Sequence, residues 1–182
     1  SVIFDEWTKA EEISSILLEK DRDNFSANLF KFFLSFLNGQ DADQYLKKVD
    51  HKYLDSNFLN SILIWKNYDK KNIQISNDNN CVPLICLHSA LILKLKGEVK
   101  EAQNFFNKIE GEKFVSYRIK ELLLLNAIQE QKKSANTILN QINSYDLNIK
   151  NFDLNYLLNN QKLLNPVENK KDGMAEVLYN IS

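Results

Sequence analysis

The residues able to do chemistry in this chain are few, and their spacing limits them. The two cysteines, Cys81 and Cys86, lie five positions apart. Within one helix that spacing places them on different faces, at about 100° per residue, too divergent for a disulfide. Their neighbours Val82, Leu84, Ile85 and Leu87 are apolar, so the expectation is two free thiols buried as small hydrophobes. Of the two histidines, His51 sits in a polar connector (VDHKY) and reads as a solvated side chain. His88 follows Cys86 by two residues, which is not a zinc spacing, and no second Cys/His pair could complete a site. A Cys86–His88 dyad is excluded on one helix because the two side chains point to different faces.

Paired acids such as Glu11–Glu12 and Glu98–Glu101 fall at helix starts, where carboxylates favour the helix dipole. Four scattered glycines cannot form a phosphate-cradling loop. The basic pairs Lys70–Lys71, Lys132–Lys133 and Lys170–Lys171 are each balanced by nearby acids or Asn. No catalytic residue, metal ligand or cofactor site is expected, and the chain reads as a non-enzyme.

The elements that would carry these residues are helices. Only 4 Gly and 2 Pro occur in 182 residues, which disfavours hairpin-rich β structure. The hydrophobic share of 44% supports a core, and the net charge of -1 leaves no electrostatic footprint for nucleic acid. The 24 Asn are spread through patterned segments and reflect a codon bias rather than a low-complexity tract. The longest apolar runs are interrupted by Lys66 and Lys94, short of the roughly 18–20 residues of a membrane span. The sequence opens without an initiator Met and shows no signal peptide, so the expected compartment is the cytoplasm or, if a leader was removed, the periplasm.

Periodicity predicts helices over 5–20, 24–38, 41–49, from about 55, then 82–96, 98–109, 113–128, 130–143 and 152–164. A weak element is expected over Lys70–Ile75. Gly39, Gly97 and Gly111 mark stops, and Asp172–Gly173 marks the entrance of a last helix. Strongly apolar helices alternate with amphipathic ones, the pattern of stacked helical hairpins. Small residues on the second helices, Ala10, Ala42, Ala102 and Ala135, are separated by 32, 60 and 33 positions.

Three stretches share one residue pattern. In 86–106, Cys86-x2-Ser89-Ala90-x2-Leu93 is followed by Gly97, Ala102 and Phe106. Ile119-x2-Leu122-Leu123-x2-Asn126 with Ala135-x3-Leu139, and Leu29-Phe30-x2-Phe33 with Ala42-x3-Leu46, keep the spacing. Cys86, Ser89, Leu123 and Asn126 depart from the expected residue types. This pattern resembles the tetratricopeptide repeat, whose unit is about 34 residues, in a divergent form of the kind found in bacteria. The stretch Lys20–Asn24 is similar to a repeat boundary, with Arg22 in place of its proline.

The resemblance implies an all-α, right-handed α-α superhelix. It divides into degenerate repeats over 1–145, an irregular helix and loop over 146–171, and the start of a further, interrupted repeat over 172–182. It also implies a groove lined by the first helix of each pair. The groove positions are Leu84, Leu87, Leu91 and Lys94; Tyr117, Lys120, Leu124 and Ala127; and Asn24, Ala27, Lys31 and Leu34. This set is apolar, so either tight curvature or the 150–165 helix buries it, or it receives a partner helix. The Lys-based clamp that holds peptide carboxylates is not recognisable.

The function expected is a non-catalytic protein-interaction scaffold or adaptor for a protein or peptide partner. The alternative is an architectural or regulatory segment of a longer protein whose active part lies elsewhere. An unfinished repeat exposes an apolar face, so self-association through the ends, or a longer natural chain, is expected.

Overall fold

A computed structural model describes residues 2–49, 51–70, 81–112, 115–145 and 165–180. These residues form nine α-helices and one short 3-10 turn (His51–Tyr53), with no strand among them. The helices are α1 (Val2–Lys20), α2 (Phe25–Leu37), α3 (Asp43–Leu46), α4 (Ser56–Lys66), α5 (Pro83–Leu95), α6 (Val99–Glu110), α7 (Tyr117–Gln129), α8 (Ser134–Tyr145) and α9 (Lys170–Tyr179). The all-α expectation holds. The expected helix over 152–164, and residues 71–75 of the weak element, lie outside the described residues. The chain divides into two compact units, Ser1–Leu59 and Asn60–Ser182.

In the first unit α1 and α2 form a hairpin. Asn24 caps α2 by accepting from the Ala27 N–H at 3.1 Å. The buried Asn28 Nδ2 donates to the carbonyls of Arg22 (3.0 Å) and Asn24 (2.9 Å), which fastens the turn to the helix it introduces. Phe32 and Phe33 are almost fully buried, and Phe33 lies 6.4 Å from Phe58. The helix expected over 41–49 is a single turn, α3, in which Leu46 is buried, followed by turns in which Val49 is buried.

In the second unit α5–α6 and α7–α8 are hairpins, and α7 packs on both α5 and α6. α5 is buried from Ile85 to Leu93, α7 from Ile119 to Ile128 except the half-buried Glu121. This explains why both helices are apolar almost all round. Of the four alanines that set the sequence register, Ala102 and Ala42 are buried, and Ala10 and Ala135 are half-buried.

One device ends α2, α5 and α7. The N–H groups of Gln40, Glu98 and Lys132 donate to the carbonyls of Ser35 (2.8 Å), Leu93 (2.9 Å) and Ala127 (2.8 Å). Each therefore closes a Schellman turn around a left-handed residue. That residue is Gly39 (φ +73°), Gly97 (φ +80°) and, after α7, Gln131 (φ 51°). Gly97 and Gln131 are 34 positions apart, the spacing of one repeat unit.

The cysteine expectation is overturned. Cys81 and Cys86 form a disulfide, with Cα atoms 5.6 Å apart, inside the usual range. The spacing argument holds only for two residues of one helix. α5 instead begins at Pro83, so Cys81 lies on extended chain ahead of the helix and folds over its first turn.

α9 starts two residues before the expected entrance at Asp172. Asn169 accepts from the N–H groups of Lys171 (2.8 Å) and Asp172 (3.1 Å), while Asp172 accepts from the Asn169 N–H (3.2 Å). This reciprocal capping box draws Lys170 and Lys171 into the helix. The helix docks on α5 and buries Gly173, Met174, Glu176 and Val177. Its apolar face is thus covered within the chain. Glu176 takes a two-pronged pair from Arg118, with Nε to Oε2 at 2.9 Å and Nη2 to Oε1. Arg118 also holds Glu121 at 3.0 Å and lies 4.8 Å from the Tyr179 ring.

Gln131 is exposed and carries a left-handed backbone that glycine adopts freely. Gln131→Gly is therefore expected to raise stability by about 0.5–1 kcal/mol, after the greater freedom of glycine in the unfolded chain is counted. A higher urea midpoint with an unchanged slope would show it. A lower midpoint would contradict the turn assignment.

Candidate functional site

The twelve groove positions expected from the sequence separate into core and surface; Ala27 and Ala127 are buried, and Asn24 and Leu84 are half-buried. Leu87 and Leu124 are fully buried, and Leu91 and Lys120 are 6% and 4% exposed. The three leucines are thus core residues, and what they contact is the interior of the second unit. Tyr117 is half-buried. Lys31 and Leu34, in the first unit, are half-buried, and Lys31 pairs with Glu11 at 3.2 Å.

Only Leu91 and Lys94 of this set meet at a concave feature. A half-open cavity of about 450 Å³ lies between α5, α6, α7 and residues 165–168. Its walls are mainly apolar, including Leu91, Leu95, Phe106, Leu122 and Val167, and Lys94 and Asn126 are the polar side chains of its helical wall.

The polar residues of the wall, Lys94, Asn126 and Asn165, belong to one connected chain of amides around the lysine. Lys94 Nζ donates to Asn126 Oδ1 (3.5 Å) and to Gln129 Oε1. Gln129 Nε2 donates to Asn165 Oδ1 at 2.7 Å, and Asn126 Nδ2 to Gln103 Oε1 at 3.3 Å. Burial holds the Lys94 ammonium below the usual lysine range, and the negative charge of Glu130 opposes that shift. The lysine is therefore tied to neutral amide oxygens rather than to a bonded carboxylate. Such a wall offers donors and acceptors to a polar chain while the remainder of the cavity receives apolar groups.

Sequence reasoning found Lys94 but missed its partners. Asn126 stood out only as a departure from the repeat pattern, at a position three residues after Leu123. That departure was the available signal: a polar residue in the middle of a buried helix must find hydrogen bonds. Gln103, Gln129 and Asn165 gave none.

His88 is fully buried, and its role is structural. Its Nδ1 accepts from Trp65 Nε1 at 2.9 Å, so the ring proton sits on Nε2. Nε2 finds no acceptor among the described residues. Burial lowers the His88 pKa from 6.5 to about 3. Among the described residues no group of three His, Cys, Asp or Glu gathers as metal ligands. No described helix is long and apolar enough to cross a membrane.

No protein-family model, curated protein or solved structure matches the chain.

The His88 environment sets an acid limit on stability. Its folded-state pKa lies below its unfolded value, so between about pH 6.5 and about pH 3 the unfolded chain binds a proton that the folded chain does not. The stabilising contribution is complete above pH 6.5 and is lost as pH falls toward 3. Between pH 6.5 and 5, where most carboxylates stay ionised, the slope should approach about 1.4 kcal/mol per pH unit. His88→Gln should flatten it. Equal slopes in the two proteins, by urea unfolding at each pH, would contradict a neutral buried His88.

Proposed function

We propose that the chain is a non-catalytic protein-interaction module built from tetratricopeptide-like helical hairpins. In this reading an extended segment of a protein partner enters the cavity beside Lys94. The observation that carries the proposal is the hydrogen-bonded chain of Asn165, Gln129, Lys94, Asn126 and Gln103, of which Asn165, Lys94 and Asn126 line the apolar cavity. A peptide in extended form presents alternating N–H and C=O groups, and amide side chains pair with both. Apolar side chains of the same peptide would take the Leu91, Phe106 and Leu122 walls. The hairpin spacing supports the repeat reading: Gly97 and Gln131 close equivalent turns one unit apart.

A second reading has its own support. Leu87, Leu91 and Leu124 are buried, which fits an architectural segment whose first helices serve the core rather than a groove. The two readings differ at the cavity alone.

A photo-crosslinking side chain placed at Leu95, a cavity wall, is expected to trap a discrete partner in cells of the source organism. The same side chain at the exposed Lys133 should not. Adding Lys94→Glu, which reverses the lysine charge at that wall, should reduce the adduct about tenfold, the factor that corresponds to about 1.4 kcal/mol. Equal adducts at both positions, or an adduct indifferent to Lys94→Glu, would favour the architectural reading.

A further inference from the structure

We propose that the Cys81–Cys86 disulfide is a reversible thiol–disulfide exchange site that tightens or loosens the start of α5. The geometry is that of a helix staple made covalent. Val82 is the N-cap of α5 and provides no side-chain hydrogen bond, and Pro83 is the first helical residue. Cys81 therefore occupies the position before the cap and Cys86 the fourth helical position. These are the two positions that an apolar pair normally joins to fix how a chain enters a helix. Here a disulfide joins them, in a helix that has no capping side chain. α5 is buried from Ile85 to Leu93, so its first turn, which opens on the half-buried Pro83 and Leu84, is the place where it can loosen while Ala90 to Leu93 stay packed.

The two sulfurs differ in access. Cys86 is 1% exposed, whereas Cys81 is half-exposed. Both residues line a second cavity of about 450 Å³ that also takes in Lys108 and Glu112. The side chain of Lys108 reaches over the Phe105 ring at 4.8 Å and brings a cation to that wall, and Glu112 brings the opposing charge. A small dithiol can enter there.

The exchange proceeds in two displacements. The thiolate of the dithiol bonds to Cys81 Sγ, the Cys81–Cys86 bond breaks, and Cys86 leaves as a thiolate that takes a proton from water. The position of Cys86 in the first turn places that thiolate near the unbonded N–H groups of a helix start, which stabilise negative charge. The second thiol of the reagent then displaces Cys81. The reagent ends as a disulfide, and the protein gains two electrons and two protons. Such a bridge persists in an oxidising compartment and opens where a dithiol is supplied.

The test uses the whole chain under native conditions. Millimolar dithiothreitol should release two maleimide-reactive thiols without denaturant, and oxidised glutathione should restore the bridge. Hydrogen exchange at Leu84–Leu87 should quicken about tenfold on reduction, with Ala90–Leu95 unchanged. Of two single-cysteine chains, Cys86→Ser should form a mixed disulfide with glutathione through Cys81 faster than Cys81→Ser does through Cys86. Four results would overturn the proposal. They are two free thiols in the unreduced protein, a bridge that resists reduction until the chain unfolds, loss of protection throughout α5, and faster coupling at Cys86.

Discussion

The second unit depends on how one indole ring is enclosed. Trp65 is fully buried, donates Nε1–H to His88 Nδ1 at 2.9 Å, and stacks on Tyr68 at 6.2 Å. Its remaining side is the backbone of α9. A Cβ added at Gly173 would lie 2.2 Å from the ring, so α9 can approach this closely only without a side chain there. Burying a ring of this size removes about 200 Å² from water, about 5 kcal/mol as an upper estimate. Three requirements follow from one residue. Position 88 must present an unprotonated nitrogen, position 173 must be glycine, and the helix carrying 173 must stay docked. The pairing of Arg118 with Glu176 then holds α9 along its length, one turn beyond the glycine.

This arrangement changes the meaning of the chain's last described helix. The sequence presents it as the opening of a further repeat, with an apolar face awaiting a neighbour. In the structure Met174 and Val177 are buried on α5 and its surroundings, and Tyr179 is the large hydrophobic that remains exposed. The ring under Gly173 belongs to α4, far away in sequence, and no local pattern could announce that contact.

What was legible follows the same division between local and distant. The hairpins of α5–α6 and α7–α8 could be read because periodicity, Gly97 and Gly111 act within a few residues. The register of the disulfide could not, since it depends on α5 beginning at Pro83 rather than one or two residues earlier. Helix boundaries are set by caps, and Val82 provides no side chain that signals one. The stop at Gln131 was likewise hidden, because a glutamine gives no sign that its backbone is left-handed. Of the candidate groove, Lys94, Leu87 and Leu124 were all placed by the repeat resemblance, which lines the groove with the first helix of each pair, although those helices are apolar on most sides. Burial, rather than lining, is what that composition records. The amide partners of Lys94 come from α7, and their own partners from α6 and residue 165, brought together only by folding.

The enclosure of Trp65 is tested most directly by a double-mutant cycle on unfolding free energy with Gly173→Ala and Trp65→Leu. Alone, Gly173→Ala should destabilise by about 2 kcal/mol through overpacking against the ring. With Trp65→Leu already present, the same change should be neutral or stabilising, since alanine is the better helix former by about 1 kcal/mol. Additive effects of the two substitutions would contradict the claim that this ring and this glycine hold the second unit together.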